Sequence, residues 1–117
     1  MSPVVSHAWA CATCGGSAGS IRVEEHGETR REAFTGALTR RFSDTGIAQL
    51  RAALAAGDAA AVHALDPELA PWWCPVCGTS YCGDHWAHWD VFDEDDPTWH
   101  DSIRGRCPEG HERMLED

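Results

Sequence analysis

Six cysteines and two of the histidines in this chain stand in four short pairs: Cys11-x-x-Cys14, Cys74-x-x-Cys77, Cys82-x-x-His85 and Cys107-x-x-x-His111. No cysteine is left over. A two- or three-residue separation lets one tight loop aim two donor atoms at the same cation, and eight such donors complete two tetrahedral zinc ions, each closed as Cys3His. Turn residues accompany the pairs. Gly15 and Gly16 follow the first, Pro75 and Gly78 each follow a cysteine of the second, and Pro108 and Gly110 stand inside the last. A rigid residue starts such a loop and a permissive one lets it turn back. A lone pair occurs by chance in many chains, whereas four with matching turn residues constrain the fold.

Composition supplies the reason for so many ligands. Leu, Ile, Val and Phe number 18 of 117 residues, 17 residues are Ala, and the formal net charge is −10, a balance otherwise met in chains that stay unfolded. Six Trp argue against disorder, so a small domain of this kind needs disulfides, a metal or a partner subunit. Residues 1–10, MSPVVSHAWA, have neither the basic nor the apolar stretch of a secretory signal. No apolar run reaches membrane-spanning length. The expected location is the cytoplasm, where reducing conditions favour metal ligation over disulfides. On this reading two zinc ions act as the interior of the domain. A thiol oxidoreductase is the alternative if the cysteines hold no metal.

Charge restricts the partners. Residues 1–57 hold six Arg against five acids, and residues 58–117 hold three Arg against fourteen, with no Lys anywhere. The acidic half repels nucleic-acid phosphates and anionic lipid, which leaves a protein as the expected partner. The missing Lys excludes Schiff-base chemistry on this chain.

Length predicts one domain over residues 1–117, with a first knuckle in 1–19, a hairpin and two helices in 20–70, and the remaining ligand segments in 71–117. SIRVEE alternates, His26-Gly27 turns, and TRREAF returns as a partner strand, with a third short strand through Ala37–Phe42. Ile47, Leu50 and Leu54 fall at helical spacing after a Ser43 or Asp44 cap, and Gly57 ends that helix. Asp58 caps a second helix with Val62 and Leu65 inward, closed by Asp66-Pro67. The Ala-rich faces of both predict spacers more than a core.

Spacing leaves two groupings open. Sequential pairing joins Cys11, Cys14, Cys74 and Cys77, then Cys82, His85, Cys107 and His111. Interleaved pairing joins Cys11, Cys14, Cys82 and His85, then Cys74, Cys77, Cys107 and His111. The segment CPVCGTSYCGDH, with four residues between its pairs, resembles the centre of FYVE- and RING-type cross-brace zinc fingers. The resemblance implies interleaving, and an α+β fold with a cross-brace, treble-clef core into which the hairpin and two helices are inserted. The 59 residues between the first two pairs exceed the usual first loop of a RING domain, and PELAPWW replaces the basic segment of FYVE domains, so lipid binding is not carried over. The C-terminal pattern also resembles that of small bacterial zinc-binding proteins. A RING-like reading would make the chain an adaptor for a ubiquitin-type conjugating enzyme, with Arg113 placed like the activating basic residue of that family. Cys11-Ala12-Thr13-Cys14 lacks the bulky apolar contact residue of such adaptors.

Other candidates have plainer readings. His88 lies three residues after His85 on a helix expected to begin near Cys82, and is the substitute ligand if His85 is not used. His100 beside Asp101 is read as a surface pair, and His7, His26 and His63 as solvent-facing or packing residues. Trp72, Trp73, Trp86, Trp89 and Trp99 flank the ligand segments, where they cover the sites or form an exposed groove. DVFDEDDP is a solvated acidic loop without EF-hand spacing. There is no nucleophile elbow, phosphate loop or deaminase pattern, and thiolate-rich closed zinc sites lack the open position catalysis needs. The expected function is therefore a non-catalytic zinc-binding module for protein interaction, not an enzyme.

Overall fold

A computed structural model describes residues 3–117. Strands β1 (Val5–Ala10), β2 (Ser17–Val23), β3 (Thr29–Ala33) and β4 (Gly36–Arg40) form an antiparallel sheet in that order. Helices α1 (Asp44–Ala56) and α2 (Ala59–Leu65) follow, then a 3-10 turn at Pro67–Leu69. Strands β5 (Trp73–Cys74) and β6 (Thr79–Ser80) pair with each other, and β7 (Ala87–Phe92), β8 (His100–Arg106) and β9 (Glu112–Glu116) form a three-stranded antiparallel sheet.

The expected hairpin is β2–β3. Ile21 and Val23 point inward while Arg22 faces water, and Gly27 takes the left-handed conformation (φ +91°) that the turn requires. Arg22 stands directly opposite Arg30. Each is neutralised along its own strand, Arg22 by Glu24 (2.7 Å) and Arg30 by Glu32 (3.1 Å). Helix α1 starts where Ser43 Oγ accepts the Gly46 N–H (3.1 Å) and stops at left-handed Gly57, whose N–H returns to Ala53 and Leu54 carbonyls. Asp58 caps α2 by accepting the Ala61 N–H at 3.1 Å.

Three expectations are corrected. The fold is not an α+β treble clef with an insertion: among the described residues nine strands in three antiparallel sheets dominate, beside α-helices of 13 and 7 residues. No helix begins near Cys82, because residues 82–86 turn and the chain runs on as β7. The spacer between His85 and Cys107 is a strand hairpin, and residues 17–40 join β1 in building the larger sheet. The two helices, finally, are more than spacers. Leu50, Leu54 and Val62 are fully buried in one cluster with Trp9, Ile21, Val23, Leu69 and Trp72, so the few aliphatic residues converge on one site instead of being scattered.

Trp72 joins this core to the ligand half. It is fully buried, stacks on Trp9 (5.3 Å between centroids) and accepts at its carbonyl the Trp86 indole N–H (3.1 Å) and the Tyr81 N–H (3.0 Å). Gly19 permits this packing, since a Cβ there would lie 2.1 Å from the Trp72 ring. Three arginines fasten the segment between the halves. Arg31, fully buried, donates to the Glu68 carbonyl (3.2 Å), Thr35 Oγ1 (2.8 Å) and the Glu116 carboxylate (2.7 Å). Arg40 pairs with Glu68 (2.7 Å) and Asp66 (3.5 Å). Arg113 donates to the carbonyls of Pro67, Ala70 and Trp73 at 2.8–3.0 Å. Among the described residues, no helix is long and apolar enough to cross a membrane.

Candidate metal centres

Each ligand pair occupies a turn at the end of a strand. The first follows β1, where the Gly15 N–H returns to the Cys11 carbonyl (2.8 Å) and the Cys11 N–H meets Gly16 (2.7 Å). The second links β5 to β6, closed by Gly78 N–H on Cys74 (2.8 Å). The last lies between β8 and β9, closed by Gly110 N–H on Cys107 (2.9 Å). Gly15, Gly78 and Gly110 all have positive φ, and at each a side chain would strain the turn. The third pair needs no such glycine, because the His85 and Trp86 N–H groups both fold back on the Cys82 carbonyl (3.0 Å each).

The four turns meet in the interleaved order. Cys11, Cys14, Cys82 and His85 bring their donor atoms within 4.8 Å of one another, and so do Cys74, Cys77, Cys107 and His111. A bond from Ala12 N–H to the Ser80 carbonyl (2.8 Å) lays the first knuckle beside β6 and hence beside Cys82. β6 thus leads directly from one group to the other, which is why neighbours in sequence serve different groups.

The donor sets fit a tetrahedral cation. With zinc–sulfur distances near ~2.3 Å and zinc–nitrogen near ~2.05 Å, the edges of the tetrahedron are ~3.8 Å between sulfurs and ~3.5 Å between sulfur and nitrogen. Cys14 and Cys82 Sγ are 3.7 Å apart, as are Cys77 and Cys107 Sγ. His85 Nδ1 lies 3.5 Å from Cys11 Sγ and 3.1 Å from Cys82 Sγ. His111 Nδ1 lies 3.3 Å from Cys77 and Cys107 and 3.7 Å from Cys74. All six cysteines are free of disulfides.

Thiol energetics point the same way. Burial pushes Cys11 up, but the N–H groups of Cys82, Cys14 and Thr13 outweigh it and bring the thiol to about 6. At Cys107 burial is likewise outweighed by the His111 and Glu109 N–H groups, leaving about 7. Their neighbours move oppositely. The Tyr81 hydroxyl, the largest influence on Cys77, lowers it, yet burial and the Cys74 and Cys107 sulfurs carry it to about 11. Cys14 is also raised, burial and the Cys82 and Cys11 sulfurs overcoming the Gly16 N–H. One thiolate in each group thus discourages the next, and three together call for a cation.

The sequence-derived residues divide cleanly. The eight paired ligands converge. His88 belongs to neither group; it lies on β7 with its ring 5.0 Å from Phe34. His100 bonds Asp90 (2.9 Å) rather than its neighbour Asp101. His7 packs on Trp9 at 4.5 Å. Trp72 and Trp86 are buried and Trp73 is half-buried, whereas Trp89 and Trp99 are exposed. Arg113 donates to four carbonyls, those named above and that of Met114 (3.0 Å), and burial lowers its guanidinium to about 10. Sequence reasoning missed Tyr81, whose phenol and the Cys77 thiol shift one another; its signal was its place as the only tyrosine, immediately before Cys82.

No curated protein and no solved structure is significantly similar to this chain. One family model matches it over residues 2–117, nearly its whole length, and the chain belongs to that family, described as "Domain of unknown function (DUF8328)".

Proposed function

We propose that this protein is a non-catalytic interaction module built on two structural zinc ions. One is held by Cys11, Cys14, Cys82 and His85, the other by Cys74, Cys77, Cys107 and His111. The observation that carries the reading is the pair of four-donor groups whose edges fall near those of a zinc tetrahedron. Thiolate-rich tetrahedral sets favour zinc over the hard cations. Bound zinc supplies the charge that holds three thiolates together, and the chain's own residues do the rest. The Gly16, Cys77 and His111 N–H groups donate to Cys14, Cys74 and Cys107 sulfurs at 3.4 Å, and the Tyr81 hydroxyl lowers the Cys77 thiol. Four protein donors fill each tetrahedron, so the sites suit scaffolding rather than substrate activation. A RING-like adaptor gains no support, because the guanidinium it would present is bonded to four carbonyls of its own chain.

Native mass spectrometry tests this. Two zinc ions per chain are expected, falling to one in Cys82→Ser and one in Cys107→Ser; a metal-free native protein would overturn the reading.

A further inference from the structure

The β7–β8–β9 sheet carries large apolar side chains that the fold leaves uncovered. Trp99 is 67% exposed, Phe92 50%, Met114 41% and Trp89 38%. Trp89, Arg104 and Met114 are direct cross-strand neighbours and form one row across the sheet. The Arg106 guanidinium lies 6.0 Å over the Trp89 ring centroid, so this surface already holds one cation on an aromatic face. Toward the tip, Phe92 meets His100 edge-on at 5.6 Å, and Trp99 accepts the Asp93 N–H at 2.9 Å where the hairpin closes. Exposed aromatic groups of this kind mark places where partners bind.

The surrounding charge says which partner. Residues 90–103 contain Asp90, Asp93, Glu94, Asp95, Asp96 and Asp101 and no Arg or Lys, and all six acids are exposed. Asp93 and Asp96 spend their carboxylates inside the loop, accepting from the N–H groups of Asp95, Asp96 and Thr98. Glu94, Asp95 and Asp101 accept no such bond among the described residues. A second copy of the chain would set six carboxylates against six, and nucleic acid would be repelled.

We propose that the tip of the β7–β8 hairpin docks a Lys/Arg-rich protein segment, whose cations meet the carboxylates and lie over Trp99 and Phe92, away from the Trp89 row that Arg104 and Arg106 already occupy. The proposal rests on the interaction-module reading and adds its surface and partner chemistry.

The test uses the full zinc-loaded chain, isotope-labelled, titrated with a short peptide in which Arg alternates with Ser and Leu, and with the same peptide carrying Glu for Arg. The expected result is that only the Arg peptide shifts the Trp99 indole signal. The combined Phe92→Ala and Trp99→Ala variant should weaken binding by at least about tenfold, and Glu94→Gln with Asp95→Asn should weaken it and flatten its salt dependence. Shifts confined to another face, or unchanged affinity in the variants, would overturn the hairpin assignment and leave the module reading standing. Self-association that covers Trp89 and Trp99 would also overturn it. Zinc content measured on the same samples reports separately on the scaffold.

Discussion

Tyr81 has more bearing on the second metal group than its absence from the ligand set implies. The Cys77 side chain beside it, together with burial, drives the phenol well above its ordinary range. The ring is held edge-on to Trp86 at 6.4 Å between centroids. Tyr81→Phe keeps the packing and removes the hydroxyl that acts on the Cys77 thiol, a type of change that costs roughly 10- to 100-fold in metal affinity. Competition with a chromophoric chelator should show the Cys74 group weakened about tenfold and the Cys11 group unchanged; equal effects on both would refute the assigned role. Arg31 makes the complementary point about stability. Strand alternation in Thr29–Ala33 turns Arg31 inward, where a reading by residue type would have put it in water, and Glu116 neutralises it from the far end of the chain. Glu116→Gln leaves a buried guanidinium without its counter-charge and should cost about 3 kcal/mol in urea unfolding. A loss below about 0.5 kcal/mol, the scale of a surface pair, would mean that the bridge is not internal.

At the scale of elements, legibility followed whichever side of an element the core lies on. The β2–β3 hairpin and both helices could be read because their apolar residues face inward and their ends carry Ser43, Gly57 and Asp58 caps. Ser43→Ala should therefore lower stability by about 1 kcal/mol without changing the fold, seen as a reduced midpoint in urea at constant slope. Strand β1 escaped notice because Trp9 is its only buried side chain and Ala, Ser and His fill much of the rest. The β7–β9 sheet was hidden for another reason. Trp89, Phe92 and Met114 lie toward water, so the periodicity that normally marks a strand's buried face is inverted there, and the segment reads as a loop with stray aromatics. The interleaved grouping was accessible only through resemblance, since spacing alone allowed two solutions; the bond from Ala12 to Ser80 that fixes it joins residues far apart in sequence.

For the molecule as a whole, the deciding question is how the apolar core and the metal groups share the work of stabilisation. Composition alone argued that two cations must serve as the interior, yet the first cluster, from Trp9 to Trp72, contains none of the eight ligands, and the second is built on four of the cysteines with Tyr81, Trp86 and Leu115. Metal removal should therefore act unevenly. In the absence of a cation, the lowered thiols Cys11 and Cys107 bind fewer protons folded than unfolded. Their contribution is present above the ordinary thiol range and is lost as pH falls through about 7 and then about 6. The raised thiols Cys14 and Cys77 act in the opposite sense and at higher pH, so the stability of the metal-free chain should rise from about pH 6 to the ordinary thiol range and fall above it. With zinc bound every ligand is deprotonated, protons compete with the metal, and stability must fall steeply on acidification. Hydrogen exchange after chelation at neutral pH should then show β7, β8 and β9 losing protection while β2, β3 and α1, anchored by Ile21, Val23, Leu50 and Leu54, keep theirs. A single cooperative loss across both halves would show that Trp72, Arg31 and Arg113 couple them too tightly for either to stand without the metal.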